Sequence, residues 1–185
     1  MKRPYPYRSA LIALCLCLFA LVNTPAQAAS KLELDARVQE ALNTLYERQS
    51  AARALGDKAA GILVFPRIIK GGFGVGGEVG EGALLVNGST QGYYRVTSLS
   101  LGFQIGGQAK TEILMFMTED ALRRFIESDG WEAGVDGSVA VVEFGVGRAI
   151  DTNSIQDPII AFLFGNKGLM YNLSLEGSKF WRISK

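Results

Sequence analysis

Apolar residues in the first part of the chain follow a helical period. Between Lys31 and Leu55 there is no glycine or proline, and the apolar positions recur at steps of three, four and seven residues. This spacing puts them on one face of a helix. They are Leu34, Val38, Leu42, Leu45, Ala52 and Leu55. Ser30 is a suitable N-cap and Gly56 a suitable stop, so the pattern predicts an amphipathic helix over about residues 31–55.

After Gly56 the apolar residues come in short runs bounded by glycine and proline, which is typical of buried strands. The first run is Gly61–Phe65, closed by Pro66, and a second run is Ala83–Val86. A basic segment and a glycine-dense segment lie between them. Because glycine permits bulges and close backbone approach, we predict two core strands joined by a sharply bent connection.

The rest of the chain continues with strands and one more helix. Asn87-Gly88 is a hairpin signal, and the return strand is predicted at 91–98. Thr118 is a suitable N-cap for a helix that ends near Glu127. Further strands are predicted at 101–108, 112–117, 139–146, 159–164, 169–175 and 180–183, with a loop at 131–137 and a polar connection at 151–157.

Glycine content suggests the shape of this sheet. All 22 glycines lie between Gly56 and Ser178, without a collagen-type period and interleaved with apolar residues. Many strands with tight corners give such a composition. The predicted fold class is α+β: a curled, mostly antiparallel, β-barrel-like sheet over about residues 59–183, with about three helices packed on its surface.

The N-terminal residues have the features of a secretory signal peptide. Lys2, Arg3 and Arg8 precede an apolar stretch at 10–22, and Ala26-Gln27-Ala28 supplies a cleavage signature. We expect cleavage after Ala28, a single domain over residues 29–185, and a periplasmic or secreted location. Losing the three basic residues would change the formal net charge from +1 to −2.

Several classes of chemistry are disfavoured by residues that the mature chain lacks. It has no histidine, and both cysteines, Cys15 and Cys17, lie in the expected signal peptide. The usual zinc sites, a Ser-His-Asp triad and a Cys-His pair are therefore excluded. A near-neutral, slightly acidic chain also argues against general nucleic-acid binding, which needs many cations.

Two segments partly match known ligand-binding motifs. Residues 72–79 match the glycine pattern G-x-G-x-x-G-x-V, but no helix follows whose N-terminus could hold a phosphate, so no nucleotide is expected. Residues 151–157 begin like a calcium loop but lack its third ligand, its turn glycine and its closing glutamate. We therefore expect no metal and no cofactor. Glu78 and Glu81 remain as a candidate acid–base pair, which makes an enzyme the third-ranked alternative.

The glycine-rich stretch carries a resemblance to a known family. The pattern F-P-x-x-x-K-G-G-x-G-x-G-G-x-x-G-x-G begins at Phe65. Together with the stretches at 92–94, 101–108, 112–118, 138–149 and 167–180 it resembles the SYLF domain family. The resemblance covers about residues 31–183. It implies a β-barrel core with surface helices and mobile loops. Eukaryotic members are membrane-associated adaptors that bind phosphoinositides and, in the yeast branch, actin, whereas secreted bacterial members carry the domain alone.

Together these observations lead to a functional hypothesis. We expect a non-enzymatic lipid-binding protein of the bacterial cell envelope that binds anionic phospholipid head groups weakly. The predicted lipid-binding residues are Arg67, Lys70, Arg37, Arg48 and Arg53, and the predicted membrane-contacting loop residues are Ile68, Ile69 and Phe73. The alternative is a protein-interaction or structural module of the envelope, without lipid affinity and with an envelope protein as its partner.

Overall fold

The computed structural model of the chain describes residues 30–73, 75–101, 108–143, 157–165, 175 and 177–185. In these ranges the helices are α1 (Lys31–Arg48), α2 (Ser50–Gly56) and α3 (Glu119–Glu127). The strands are β1 (Gly61–Phe73), β2 (Val75–Val86), β3 (Ser89–Leu101), β4 (Gln108–Phe116), β5 (Trp131–Glu132), β6 (Val139–Glu143), β7 (Ile159–Gly165) and β8 (Lys179–Ile183). The expected signal peptide lies outside the described residues, as do most of the predicted connection at 151–157 and of the predicted strand at 169–175.

The described strands form one sheet in the order β5-β8-β3-β2-β1-β4-β7-β6. Neighbouring strands are antiparallel, except that β6 and β7 run parallel. The sheet is strongly curled into a half-barrel, and three helices accompany it. The prediction of an α+β fold with a curled, mostly antiparallel sheet is confirmed.

Each face of the sheet carries its own apolar cluster. On the inner face, α3 packs through Phe125, whose ring centroid lies 4.9 Å from those of Tyr94 and Phe116 and 5.7 Å from that of Trp131. This cluster joins residues of β5 and β8 with residues of β7, near the opposite edge of the sheet. The sheet therefore curls around it. On the outer face, α1 and α2 cover residues from β1, β2, β3, β4 and β7.

The predicted helix over residues 31–55 is two helices. Gln49 separates α1 from α2 with an extended backbone (φ −139°, ψ 97°). The predicted N-cap is correct, because the Ser30 side chain accepts a hydrogen bond from the backbone N–H of Glu33. Farther along α1, the Asp35 carboxylate accepts a hydrogen bond from the Tyr93 hydroxyl at 3.0 Å. This bond ties α1 to β3.

A β-bulge at Pro66 reverses the alternation of side chains along β1. Pairing of β1 shifts register in this region against both β2 and β4. Phe65, before the bulge, belongs to the inner cluster, and so does Ile68 after it. Arg67 and Ile69 consequently lie on the outer face. The Thr111 hydroxyl donates a hydrogen bond to the Pro66 carbonyl at 3.0 Å, which supports the bulge from the neighbouring strand.

The glycine-dense segment is a long hairpin, so the prediction of a bent connection between short strands was wrong. Strands β1 and β2 stay paired as far as Phe73 opposite Val75. Within β2, a Cβ at Gly82 would lie 2.2 Å from the Val64 carbonyl oxygen and 2.7 Å from the Phe65 ring. Glycine is therefore required there for the Phe65 ring to lie against the backbone.

Where the later elements are described, they follow the prediction with one exception, whereas most of the predicted strands at 101–108 and 169–175 lies outside the described residues. Helix α3 begins after Thr118, whose hydroxyl accepts a hydrogen bond from the backbone N–H of Ala121. The exception is the predicted loop at 131–137, which begins with the two residues of β5 paired with β8. Among the described residues, no helix combines the length and the apolar character needed to cross a membrane.

Candidate functional site

A cleft of about 240 Å³ opens on the outer face between α1 and the sheet, and we call it the basic cleft. Helix α1 lines it with Arg37, Glu40, Ala41 and Thr44, and the sheet with Pro66, Arg67, Ala109, Lys110, Thr111 and Phe164. Pro66 and Arg67, at the bulge of β1, are part of the sheet side of the cleft. Pro66 is the only proline in the described strands β1 to β8.

Arg67 is the most available cation of the cleft. Its side chain is exposed, and it makes no ion pair or hydrogen bond with any other described residue. Glu81 lies directly opposite on β2 but is bound elsewhere. Its two carboxylate oxygens pair with Arg95 at 2.8 Å and with Lys185 at 2.6 Å. Partial burial alone would raise the pKa of Glu81, but these two cations lower it below its usual value.

Two more of the predicted cations lie at the cleft. Arg37, Thr44 and Arg48 fall on one stripe of α1, at spacings of seven and four residues. Arg37 pairs with Glu33, one turn away, at 2.5 Å. The Arg48 guanidinium lies 5.9 Å from the ring centroid of Phe164, which lines the cleft. Of the predicted cations, Arg37 and Arg67 therefore line the cleft, and Arg48 lies over Phe164 beside it.

The other two predicted cations lie elsewhere. Arg53 stacks its guanidinium 4.7 Å from the ring centroid of Tyr46. Lys70 lies on the inner face, where its ammonium is 3.2 Å from a carboxylate oxygen of Glu78. Because Arg67 and Lys70 point to opposite faces of β1, they do not form the basic pair that the sequence indicated.

The predicted membrane-contacting loop is part of β1. Ile68 is fully buried in the inner cluster, so its assignment to a contact surface was wrong. Ile69 is exposed on the outer face. The side chain of Phe73 lies outside the described part of the structure. The error came from the bulge, which turns Ile68 inward just after an apolar run.

A chain of four alternating charges runs into the inner face, and sequence reasoning missed it. From the surface inward it consists of Lys70, Glu78, Lys110 and Glu112. The Lys110 ammonium lies 2.7 Å from Glu78 and 3.5 Å from Glu112. Glu112 is fully buried, and neither of its oxygens has a hydrogen-bond partner among the described residues. Lys110 and Glu112, two charges at alternate positions just before an apolar run, were the available signal.

Burial controls the ionisation of this chain of charges. It raises the pKa of Glu112 to about 7, because the nearby Lys110 compensates only in part for the loss of water. Glu78 behaves in the opposite way. Its partial burial alone would raise its pKa, but hydrogen bonds and attraction from Lys110 and Lys70 lower it. The chain is therefore neutral when Glu112 is ionised and carries one positive charge when Glu112 is protonated.

Catalysis by Glu78 and Glu81 is not supported by their positions. They lie three residues apart on β2, with Glu78 on the inner face and Glu81 on the outer face. A pair on opposite faces of a sheet cannot act on the same substrate as acid and base. Within the described ranges, no group of three or more acidic, histidine or cysteine side chains is arranged to hold a metal ion.

Comparison with known proteins finds a family profile and a relative that this chain resembles. Residues 97–184 match the profile of the Ysc84 family, described as Las17-binding protein actin regulator. The chain is also 27% identical over 164 residues to Beta cell expansion factor A of Aeromonas veronii. That match covers 87% of this chain and 60% of the relative, so the chain spans about three fifths of the relative's length. Both matches support the resemblance to the SYLF domain family, and the profile match places it in residues 97–184.

Proposed function

We propose that this protein is a non-enzymatic adaptor of the bacterial cell envelope that binds anionic phospholipid head groups weakly at the basic cleft. The family resemblance supports a lipid or actin-regulator adaptor role in general. The observation that carries the finer proposal is the exposed Arg67, whose guanidinium has no counter-ion among the described residues and opens onto the same cleft as Arg37. A guanidinium presents a planar fork of donors that matches a phosphate. The protein would act in the periplasm or outside the cell after cleavage behind Ala28.

The charges around the cleft set the expected strength of binding. A cation near an anionic membrane surface contributes about 1 kcal/mol. Arg37 shares its charge with Glu33, and Glu40 also lines the cleft, so Arg67 and Arg48 contribute most. The affinity for anionic vesicles should therefore be low. It should also fall steeply with ionic strength, because exposed charges are screened.

Co-sedimentation with vesicles tests this proposal. The protein is mixed with vesicles of phosphatidylcholine alone or with phosphatidylglycerol, at low and at physiological salt. We expect binding only to the anionic vesicles, and a loss of about fivefold in affinity for Arg67→Gln, equivalent to about 1 kcal/mol. The matched control is Arg123→Gln, because Arg123 is an exposed cation on α3 and lies away from the cleft. Equal binding by both variants would refute the assignment of the cleft.

A second candidate function is favoured by the description of the matched family. That description names a protein-binding regulator. Under this alternative, the protein is an interaction module of the envelope, and the cleft region docks a protein. It predicts no binding to either vesicle type, together with salt-insensitive capture of one envelope protein. Binding to anionic vesicles that falls with salt would count against it.

A further inference from the structure

Beyond the basic cleft, the outer face of the sheet carries exposed apolar side chains on three adjacent strands. They are Ile69 on β1 (48% exposed), Val79 on β2 (49%) and Leu99 on β3 (86%), and we call them the apolar row. Ile69 and Val79 are direct cross-strand partners, and Leu99 lies opposite Gly77, two residues before Val79. Helix α1 packs near Val64 of β1 and Ala83 of β2, toward the other end of these strands. It leaves the apolar row exposed.

An aromatic side chain extends the apolar row onto β8. Trp181 is 41% exposed, and its indole N–H lies 3.4 Å from the Thr97 hydroxyl. Thr97 is the cross-strand partner of Val79. An indole with one apolar side and one hydrogen-bonded edge suits the boundary between acyl chains and head groups. The row thus reaches from β1 to the edge region of the sheet at β8.

The apolar row is continuous with the basic cleft and is bordered by cations. Ala109 lines the cleft and pairs with Ile69 across β1 and β4. Arg67 also lines the cleft and precedes Ile69 by two residues on the same face of β1. The other bordering cations are Arg95, Lys179 and Lys185, and the carboxylates paired with them are Glu81 and Glu132. With Arg67 included, the described residues of this border are four cations and two carboxylates, which suits an anionic surface.

From this arrangement we infer that the apolar row is the surface that enters an anionic bilayer while the basic cleft holds a lipid phosphate. The inference rests on the proposed function and adds to it the face by which the protein lies on the membrane. Apolar side chains flanked by cations bind at the interface through buried apolar area together with attraction to anionic lipid. A free phosphate or a soluble head group would use the cleft but not the row.

Tryptophan fluorescence can test which face meets the bilayer. The chain has two tryptophans, of which Trp131 is buried and Trp181 lies beside the row. Anionic vesicles whose acyl chains carry bromine near the head group should quench the emission of Trp181 on binding. Quenching should disappear in Trp181→Phe, which retains Trp131.

A variant of the row provides the second arm of the experiment. Ile69→Thr combined with Val79→Thr keeps the β-branched shape and the strand propensity but removes apolar surface. We expect vesicle affinity to fall about tenfold or more, with urea unfolding unchanged. Free glycerol phosphate should compete with vesicles for the cleft of this double variant as well as it does for the cleft of the wild type. The matched control is Val141→Thr, an exposed valine on β6 at the opposite edge of the sheet, which should bind vesicles like the wild type.

The outcomes separate this inference from the proposed function. Quenching of Trp181 together with loss of affinity in the double variant supports the inference. A second outcome is that Arg67→Gln loses vesicle binding, while Trp181 is not quenched and the double variant binds normally. This outcome overturns the inference and leaves the cleft as the binding site. A wild-type protein that binds glycerol phosphate but no vesicles also overturns it. Absence of binding to either ligand overturns the proposed function itself.

Discussion

Replacing Glu112 with glutamine should stabilise the protein at alkaline pH and have little effect in acid. Glu112 lies on the inner face of β4, between Phe65 of β1 and Leu163 of β7 in the strand register. Its carboxyl group is fully buried, and the Lys110 ammonium, at 3.5 Å, is too distant for a good hydrogen bond. Ionised Glu112 is therefore poorly compensated in the folded state. Glutamine has nearly the same shape and cannot ionise.

The size of the effect follows from the pKa of Glu112. Folding raises this pKa from 4.5 to about 7, which corresponds to roughly 3 kcal/mol. Between these two pH values the folded chain holds a proton that the unfolded chain has released, so stability falls as pH rises. The loss is complete above pH 7. The stabilisation by Glu112→Gln should therefore be larger at pH 8 than at pH 5 by roughly 2–3 kcal/mol.

Urea denaturation followed by circular dichroism at pH 5 and pH 8 measures this difference directly. Any constant effect of the amide cancels when the two pH values are compared. The matched control is Glu47→Gln, an exposed carboxyl on α1, which should change stability by less than about 0.5 kcal/mol at either pH. A change for Glu112→Gln that is the same at both pH values would refute the argument, because it would mean that Glu112 ionises without penalty in the folded protein.

Three further substitutions test other parts of the fold by the same denaturation assay. Lys110→Met removes the shared counter-ion of two carboxylates and should destabilise by about 3 kcal/mol or more at pH 8, and by less at pH 5; equal losses would contradict the buried ion chain. Gly82→Ala should lower the free energy of unfolding by about 1–3 kcal/mol, because its Cβ would overlap the Val64 carbonyl. Gly92→Ala is the control and should be nearly neutral, since the nearest neighbours of its Cβ would be at 3.5 Å. Tyr93→Phe should destabilise by about 1–3 kcal/mol through loss of the hydrogen bond to α1, and no change would show that this bond does not hold the helix.

The sequence was sufficient for the elements whose local pattern is regular. The apolar period of residues 31–55 located α1 and α2, and Thr118 located the start of α3. The break at Gln49 could not be predicted, because no glycine or proline marks it. It lets α2 turn and pack Ala52 and Leu55 on the outer face, which is a tertiary requirement.

The candidate site was harder to predict because it depends on which way each side chain of β1 points. The cations Arg37, Arg48 and Arg67 were named from the sequence, and the structure places Arg37 and Arg67 in one cleft and Arg48 over Phe164 beside it. The bulge at Pro66 then sends Lys70 to the inner face and buries Ile68. A reversal of alternation at one residue changes every later assignment on the strand. Sequence spacing alone does not reveal it.

The missed features are those in which residues distant in sequence meet. Glu78 and Lys110 belong to different strands, separated by β1, yet their side chains make an ion pair at 2.7 Å. The apolar row likewise combines three strands with Trp181 near the C-terminal end. Of its members, the sequence indicated only Ile69 as a membrane-contacting residue, and it gave no signal for Val79, Leu99 or Trp181. Their adjacency depends on the strand order.

Whether the basic cleft binds anionic phospholipid is best tested by the affinity of the wild type and of Arg67→Gln for anionic vesicles, measured at low and physiological salt. We predict that the wild type binds phosphatidylglycerol-containing vesicles and not phosphatidylcholine vesicles, that binding weakens with salt, and that Arg67→Gln lowers the affinity about fivefold while Arg123→Gln does not. Binding that is indifferent to lipid charge, or equal in the two variants, would contradict the account.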